Sequence, residues 1–249
     1  MKILLCPEYF YPHIGGNEVW SWNVAKYLAK KGHSVHILTY RHPEYMHDEI
    51  RNGVYIHRIG FIPIQGIQPY FKRALIQGLG ILVYGMKLDY DVIIATQTFP
   101  LLPAYLVSKI RRKPIVAVFH DVFGYHFSIK DKGLIKGLIR ATIEYLVLKF
   151  LYDAILTVSE STRKKLMKYG RNSDRIFIVY GGVDLELINN ISAEKDDVPT
   201  IIYVGRLVKH KRVDILLRIF RIILVKIPNA KLYIVGEGPM ATYLKNLSK

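Results

Sequence analysis

Apolar residues in this chain fall into short continuous runs that alternate with longer stretches in which they recur every three or four positions. The short runs are typical of strands covered on both faces, and the longer stretches of amphipathic helices. The predicted strands are 2–6, 34–40, 53–60, 91–96, 114–120, 154–159 and 175–180, and the predicted helices lie near 17–32, 69–87, 100–111, 131–151 and 160–169. This alternation of strand and helix predicts a doubly wound, Rossmann-like parallel sheet.

The stretch DLELINNISAEKDDVP, residues 184–199, interrupts this rhythm because it is polar, acidic and ends in proline. We interpret 1–184 as an N-terminal domain and 185–199 as a linker. The rhythm restarts over 200–249 with two strands, 200–204 and 230–236, and two helices, 210–226 and 239–248. Two strand–helix units leave unpaired edges and a thin core, so we expect 200–249 to be the first part of a larger second domain.

Composition indicates a cytoplasmic protein with a real core. Hydrophobic residues make up 51% of the 249, and the single cysteine, Cys6, cannot form an intrachain disulfide. The N-terminus MKILLCPEYFYP does not have the pattern of a signal peptide. No apolar stretch approaches the ~18 residues that a membrane span requires. The abundance of Ile, Lys and Tyr and the scarcity of Gln are typical of a thermophile.

The chain is strongly basic, with 36 Lys and Arg against 20 Asp and Glu and a net charge of +16. Such a balance favours an anionic partner, whether nucleic acid, lipid headgroups or a phosphorylated ligand, although a basic soluble surface gives the same number. No nucleic-acid recognition motif is present, so nucleic acid is not an expected partner.

Two predicted helices combine basic and apolar residues. They are 70–88 and 130–150, and in the second Lys132, Lys136 and Arg140 are spaced four apart, which predicts one basic stripe. Both fit a surface that lies on an anionic membrane, which would make the protein peripheral at the inner face of the cell membrane. Ordinary amphipathic packing with a basic edge is the alternative.

The turn after the first strand, PEYFYPHIGGNE, has neither the G-x-G-x-x-G of dinucleotide enzymes nor a phosphate-binding loop of the G-x-x-x-x-G-K type. Instead Gly15 and Gly16 directly precede a predicted helix. Tandem glycines there let backbone N–H groups approach a phosphate or carboxylate, or simply serve the entry into the helix.

Two later turns carry polar side chains at the carboxyl ends of strands. His120 ends one strand, with Asp121 beside it, and a histidine there could donate to a substrate hydroxyl, act as acid or base, or be structural. Ser159 ends another strand, and capping of the next helix is its simplest interpretation.

The most charged turn is VGRLVKHKR, in which Arg206 and Lys211 flank the start of a predicted helix. Cations are disfavoured at a helix N-terminus unless an anion is bound, so the pattern favours a diphosphate site over a solvated basic turn. In the following turn, VGEGP, Gly236 and Gly238 bracket Glu237, which allows a close approach to a nucleotide or a plain turn. Nine His and one Cys show no zinc-like spacing, so no metal is predicted.

These turns together resemble glycosyltransferase family 4, the retaining enzymes of the GT-B fold. The resemblance rests on GGNE, NVAKYLAKKGHSVHILT, HD at 120–121, ILTVSESTRKKL, VYGGVD, YVGRLVKHKRVDILL and IVGEGP, in that order. It implies two Rossmann-like domains across a cleft, the first binding a sugar or lipid-linked acceptor and the second a nucleotide-diphospho-sugar. It further implies transfer with retention of configuration and without a cofactor or metal.

Site residues follow from the resemblance by position. Arg206 and Lys211 would bind the donor diphosphate, Gly15 and Gly16 would form the loop near it, and His120 would be the catalytic residue near the transferred sugar. The nucleotide side would include Gly205, Gly236 and Glu237, and the acceptor side Glu18, Asp121 and Ser159.

The chain departs from the family pattern in two ways. Gly181 replaces the asparagine usual at the end of the first domain, and the family's later pair of glutamates, with its C-terminal helix, is missing. We therefore expect an inactive fragment, truncated within the donor domain. The alternatives are a non-catalytic binding subunit that needs a partner chain or forms an oligomer, and a GT-B epimerase.

Overall fold

A computed structural model describes residues 1–11, 15–42, 44–60, 70–190, 192 and 194–248. The chain divides into two compact units, Met1–Val183 and Asp184–Lys249. Each unit has its own sheet and its own core.

The first unit is built on an eight-stranded sheet, as the alternation of strand and helix predicted. Its order is β3-β4-β2-β1-β5-β6-β7-β8, and every pair except β3–β4 is parallel. The strands are β1 (Lys2–Cys6), β2 (Ser34–Tyr40), β3 (Asp48–Arg51), β4 (Val54–Ile59), β5 (Val92–Thr96), β6 (Ile115–Phe119), β7 (Ala154–Thr157) and β8 (Ile176–Ile178).

The antiparallel strand β3 was not predicted, because its sequence DEIR is short and polar. It is paired to β4 through a turn at Asn52-Gly53, where both residues have positive φ, 49° and 75°. Asn-Gly is the dipeptide that two-residue hairpins favour, so the signal was present in the turn and not in the strand.

The helices of the first unit are α1 (Gly16–Lys30), α2 (Tyr70–Lys87), α3 (Thr98–Arg111), α4 (Gly124–Lys132), α5 (Leu134–Leu148) and α6 (Glu160–Lys168). The helix predicted near 131–151 is confirmed as α5, but α4 was not predicted, and Gly133, which takes a φ of 81°, separates the two helices. The predicted basic stripe is wrong for the same reason. Arg140 is only partly exposed, and its guanidinium lies 4.3 Å from the ring centroid of Phe123.

Successive side chains of β1 point to opposite faces of the sheet, and the core of the first unit accordingly consists of two clusters. Ile3 and Leu5 pack in a cluster with Ala25 of α1, whereas Leu4 and Cys6 pack in a second cluster that includes residues of α2 and α3. Therefore α1 covers one face of the sheet, and α2 and α3 cover the other. Burial of each such Leu or Ile contributes roughly 1.5–3 kcal/mol.

The second unit is smaller. It has a short helix α7 (Leu185–Asn189), within the predicted linker, and a parallel pair of strands, β9 (Thr200–Val204) and β10 (Lys231–Val235). Helices α8 (Val213–Lys226) and α9 (Ala241–Leu247) contribute Val213, Leu217 and Leu244 to the core on one face of this pair. The other face is exposed, with side chains between 47% and 70% accessible at Ile202, Val204, Tyr233 and Val235. In neither unit does a helix among the described residues have the length and apolarity to cross a membrane.

Candidate functional site

The order of the first sheet reverses at β1, which pairs with β2 on one side and β5 on the other. Ligands of open α/β sheets bind beyond the carboxyl ends of the strands at such a point. Here Glu8 donates its backbone N–H to Thr96 Oγ1 at 3.3 Å, and Gln77 Nε2 donates to the Pro7 carbonyl at 2.7 Å. These bonds fix the loop that leaves β1.

Glu8 is a candidate that sequence reasoning missed. Its side chain follows β1 by two positions and is only 7% exposed. Carboxylates are seldom this buried without a specific role in structure or binding. The available signal was a charged residue directly after a buried strand at the switch point.

Gly15, the N-cap residue of α1, lies close to Glu18. A Cβ on Gly15 would lie 2.5 Å from Glu18 Oε2, so the absence of a side chain at Gly15 lets the carboxylate turn back over the helix start. Glu18 is itself buried, and a negative charge is favoured there by the helix dipole. Nothing lies within 4 Å of a Cβ on Gly16. An anion near Gly15 would therefore meet the carboxylate of Glu18 as well as backbone N–H groups.

His120 lies at the carboxyl end of β6 and packs edge-on against Trp20 of α1, with 4.9 Å between ring centroids. Its Nε2 is buried and has no hydrogen-bond partner within the described part of the chain. Burial lowers the pKa of His120 to about 4, so the imidazole is neutral near pH 7. A neutral imidazole whose Nε2 has no partner can donate one hydrogen bond to a ligand hydroxyl or accept one from it, depending on its tautomer.

The side chains of Asp121 and Ser159 both make hydrogen bonds within the protein. Asp121 Oδ1 accepts from Lys165 Nζ at 2.6 Å and from the Val122 N–H at 2.8 Å. Ser159 caps α6 by accepting from the N–H of Thr162 at 3.2 Å, which confirms the capping interpretation. Thr162 Oγ1 then donates to the carbonyl of His120 at 3.2 Å.

Glu144 is a second residue that sequence reasoning missed. It is 3% exposed, and its carboxylate accepts from the N–H groups of Phe123 at 3.0 Å and Gly124 at 2.7 Å. It therefore caps α4 from α5, just beyond His120 and Asp121 in sequence. No local pattern reveals a cap that acts across 20 residues of chain.

In the second unit, hydrogen bonds to backbone atoms hold the turn after β9, whereas the side chains of Arg206 and Lys211 are exposed. The Arg206 carbonyl accepts from Tyr203 Oη at 3.1 Å, and the Leu207 N–H donates to the Glu237 carbonyl at 2.8 Å. Across the described residues, neither Arg206 nor Lys211 engages its side chain in a hydrogen bond or ion pair, and both are exposed.

The start of α8 differs from the prediction. Lys209–Lys211 form a 3₁₀ turn, and Arg212 has a left-handed backbone with φ 54°, so the helix begins at Val213 instead of near 210. The side chain of the N-cap residue, Arg212, makes no capping hydrogen bond. Asp214 in its first turn lies 3.5 Å from Arg212 Nε and offsets part of the local positive charge.

The turn after β10 contacts the turn after β9 so closely that it needs glycine. A Cβ on Gly236 would lie 1.9 Å from the carbonyl oxygen of Gly205, whose own N–H donates to the Val235 carbonyl at 2.9 Å. Gly236 and Gly205 thus have a structural reason to be glycine. Glu237 is exposed beside them.

The described residues contain no group of three or more His, Cys, Asp or Glu side chains arranged to hold a metal ion.

Comparison with known proteins assigns the family. The model of Glycosyltransferase Family 4 matches residues 14–187, and that of Glycosyl transferases group 1 matches residues 184–249. The chain belongs to glycosyltransferase family 4.

Relatives of this family 4 chain come from distant organisms. An uncharacterized glycosyltransferase of Methanocaldococcus jannaschii is 25% identical over all of the chain and 66% of its own length. A subunit of human phosphatidylinositol N-acetylglucosaminyltransferase is 24% identical over 99% of the chain and 50% of its own length. The chain thus spans two thirds or less of these relatives.

Solved structures confirm the predicted GT-B fold class of this glycosyltransferase. Sucrose-phosphate synthase of Thermosynechococcus elongatus superposes with a TM-score of 0.72 at 17% identity, over 94% of the chain and 62% of that protein. HepE of Anabaena in complex with UDP-glucose gives 0.63 at 17% identity, over 99% and 64%.

Several predicted site residues of the family 4 chain lie in two groups, one in each unit. His120, Asp121 and Ser159 lie together at the ends of β6 and β7 of the first unit, joined through Thr162. Arg206 belongs to the second unit, in the turn joined to that of Gly236 and Glu237. Their roles toward a ligand stay predictions.

Proposed function

We propose that this glycosyltransferase chain takes part in the transfer of a sugar from a nucleotide-diphospho-sugar to an acceptor, with retention of configuration. The second unit would bind the donor diphosphate, and the carboxyl end of the first sheet would bind the acceptor. The observation that carries the proposal is the turn after β9, where Arg206 and Lys211 are exposed and unengaged within the described chain. Family membership and the UDP-glucose bound by HepE support it.

In the proposed reaction, this turn would stabilise the diphosphate as the leaving group. As the bond between the sugar and the diphosphate breaks, negative charge grows on the diphosphate oxygens. Arg206 offers a planar fork of donors and Lys211 a compact charge, which together suit a diphosphate. The start of α8 adds backbone N–H groups, whose partial positive charge also favours an anion.

His120 would bind the sugar by hydrogen bonding. Because burial lowers its pKa to about 4, it acts as a neutral donor or acceptor and not as a cation. The free Nε2 would gain a partner when a hydroxyl arrives, which removes the cost of about 1–3 kcal/mol that a buried unpaired polar atom carries.

The test measures binding, because the chain spans two thirds or less of its relatives. Isothermal titration with UDP, GDP, UMP and UDP-glucose should show that nucleoside diphosphates bind more tightly than UMP. Arg206→Ala and Lys211→Ala should each weaken diphosphate binding about 10- to 100-fold, the range expected for a charge-assisted hydrogen bond. Lys226→Ala, in the last turn of α8 and away from this turn, is the matched control. Equal affinity for UMP and UDP, or equal loss in all three variants, would contradict the proposal.

A binding subunit that works with a partner chain is the second candidate. The observation in its favour is the exposed apolar face of the β9–β10 pair, and one of the relatives is named as a subunit. Light scattering after gel filtration, with Val204→Lys and Val235→Lys, would show whether that face causes association between copies. A monomer that binds nucleotide alone would disfavour this candidate.

A further inference from the structure

At the β3 edge of the first sheet, three histidines and one aspartate are joined by side-chain hydrogen bonds, with a hydroxyl at each end. They connect β2, β3, β4 and α2, and we call them the histidine network. Interacting titratable groups of this kind are candidates for a proton-linked role. The members, in the order of their bonds, are Ser34, His36, His57, Asp48, His47 and Tyr84.

The carboxylate of Asp48 sets the direction of these hydrogen bonds. Its Oδ1 lies 2.6 Å from His57 Nδ1, and its Oδ2 lies 3.1 Å from His47 Nδ1. Partial burial raises the pKa of Asp48, but the hydrogen bonds from His57 and His47 lower it by more, so the net shift is downward and Asp48 is ionised at neutral pH. An ionised carboxylate can only accept, so the Nδ1 atoms of both histidines carry protons.

Each remaining ring nitrogen then has one role in the neutral histidine network. His57 Nε2 has to accept, so His36 Nδ1, 3.0 Å away, donates to it. His36 Nε2 accepts from the hydroxyl of Ser34 at 3.2 Å. At the other end, His47 Nε2 accepts from Tyr84 Oη at 3.3 Å. All the nitrogens of the three rings therefore have partners when the histidines are neutral.

The pair of His36 and His57 can hold one added proton but not two. With one proton, His57 is a cation beside the Asp48 carboxylate, and His36 changes tautomer so that its Nδ1 accepts. With two protons, an N–H of each ring would point at the other across 3.0 Å. The ring centroids are 5.3 Å apart, so the two positive charges would repel at close range.

The surroundings of His36 also oppose a charge on it. Its ring is stacked on that of Tyr55 of β4, with 4.6 Å between the centroids. Burial, His57 and Lys2 of β1 all lower the pKa of His36, in that order of effect. Asp48, the acidic member of the network, is separated from His36 by the ring of His57. His36 is therefore the ring that resists the second proton.

The β3–β4 hairpin, residues 48–59, carries two members of the network and also contacts the loop that leaves β1. Tyr45, just before β3, packs edge-on against Tyr11 of that loop, with 5.3 Å between ring centroids. The guanidinium carbon of Arg51 in β3 lies 5.1 Å from the centroid of the same Tyr11 ring. The hairpin therefore links the network to the loop that begins at the switch point of the sheet.

We propose that the histidine network is an acid switch: protonation of His36 in addition to His57 releases the β3–β4 hairpin from β2 and loosens the loop that leaves β1. The closed hairpin excludes the second proton, so opening takes one up. The network therefore stabilises the closed hairpin fully above about pH 6.5, and this stability is lost as the pH falls. The inference does not rest on the proposed sugar transfer, because it concerns the first unit alone and needs no ligand.

The first experiment determines the histidine tautomers of the whole chain by long-range proton–nitrogen NMR correlation. At neutral pH we expect the protons of His36, His47 and His57 on Nδ1, whereas free neutral imidazole side chains carry theirs mainly on Nε2. On acidification, His36 should change to the Nε2–H tautomer before it becomes a cation. A proton on Nε2 of neutral His57 would overturn the proposal without any variant.

The second experiment follows the hydrogen exchange of single amides between about pH 6.5 and about pH 5. The Arg58 N–H, which donates to the His47 carbonyl at 2.7 Å, reports the hairpin, and the Glu8 N–H reports the loop. Both should lose protection about 10-fold per pH unit, the slope for one proton taken up on opening. The amides of β5 and β6 report unfolding of the whole unit and should stay more strongly protected throughout.

Two variants and a matched control identify the protons. His36→Phe keeps a ring against Tyr55 and removes the titrating nitrogens, so the slope should disappear at both amides. Asp48→Asn removes the charge that lets the closed network hold the first proton, so the slope should steepen toward about 100-fold per pH unit, as for two protons. His126→Asn, on an exposed part of α4, should keep the wild-type slope. Circular dichroism checks each fold, and Asp48→Asn and the tautomers of the wild type decide the outcome if His36→Phe does not fold.

Four results of the exchange experiment would overturn the proposal. They are protection of Arg58 that does not change with pH, an unchanged slope in His36→Phe, loss of the slope in His126→Asn, and hairpin protection equal to that of β5 and β6 at every pH. The last would indicate unfolding of the whole unit and not a switch. Faster exchange of the hairpin without that of the Glu8 amide would overturn the link to the loop.

Discussion

Acidification should destabilise the first unit through His120 in particular. The ring is buried against Trp20, and its pKa lies at about 4 instead of 6.5. The unfolded chain therefore binds the proton more tightly than the folded one. The stability that neutral His120 contributes is fully present above about pH 6.5 and is lost as the pH falls toward 4.

The magnitude follows from the two pKa values. Between pH 7.5 and pH 5, the unfolded imidazole becomes almost fully protonated while the folded one stays neutral, which costs about 2 kcal/mol of unfolding free energy. For a domain of this size, that corresponds to a fall in Tm of roughly 4–8 °C. His120→Asn removes the titrating ring, so this part of the pH dependence should disappear.

The assay is urea denaturation at a series of pH values, followed by tryptophan fluorescence, for the wild type, His120→Asn and His126→Asn. The asparagine at 120 also removes the contact with Trp20, but that loss does not depend on pH. His126 is exposed on α4, so its variant controls for the removal of a histidine as such. Other groups titrate in this range, and they cancel in the difference between variants. Parallel pH profiles for the wild type and His120→Asn would refute the reasoning.

Three further predictions concern stability and reactivity. Gly236→Ala should lower the unfolding free energy of the second unit by about 1–3 kcal/mol or more, measured by hydrogen exchange, because its Cβ would lie 1.9 Å from the Gly205 carbonyl oxygen, and an unchanged free energy would contradict this. Glu144→Ala should cost the first unit about 2–4 kcal/mol in urea, because two partly buried N–H groups lose a charged acceptor. Cys6 is fully buried and burial raises its pKa, so Ellman's reagent should react with it only after unfolding, and prompt reaction in the native state would contradict this.

The order of strands and helices could be predicted because its signals are local. Apolar runs such as that of β1 identify a strand by themselves, and Ser159 caps a helix three residues away. The division into α4 and α5 could not be predicted in this way. A Cβ on Gly137 would lie 2.4 Å from Ile129 Cα, so close packing of the two helices shapes the break at Gly133, and packing is not visible in a periodicity.

The functional residues of the turns could likewise be predicted only where the signal was local. Sequence reasoning selected His120 and Arg206 because residue type and position after a strand were informative. It missed Glu144, whose partners are 20 and 21 residues away. It also gave Gly236 a nucleotide role on pattern alone, whereas the contact with Gly205 is a sufficient structural reason for that glycine. A residue that hydrogen-bonds to backbone groups far away in sequence leaves no signal in the local sequence pattern.

In the turn after β9 of the second unit, the backbone is held by hydrogen bonds while the side chains of Arg206 and Lys211 are exposed. Its backbone is held by hydrogen bonds from Tyr203 Oη and from the N–H of Leu207, and Gly236 packs so closely on Gly205 that there is no room for a Cβ. Binding of a diphosphate would then have to order the side chain of Arg206 but not its backbone, and backbone ordering is the larger entropic cost. Changes at Gly236 should therefore act through stability, and changes at Arg206 through affinity alone. If Arg206→Ala proved as destabilising as Gly236→Ala, this division of roles would be wrong.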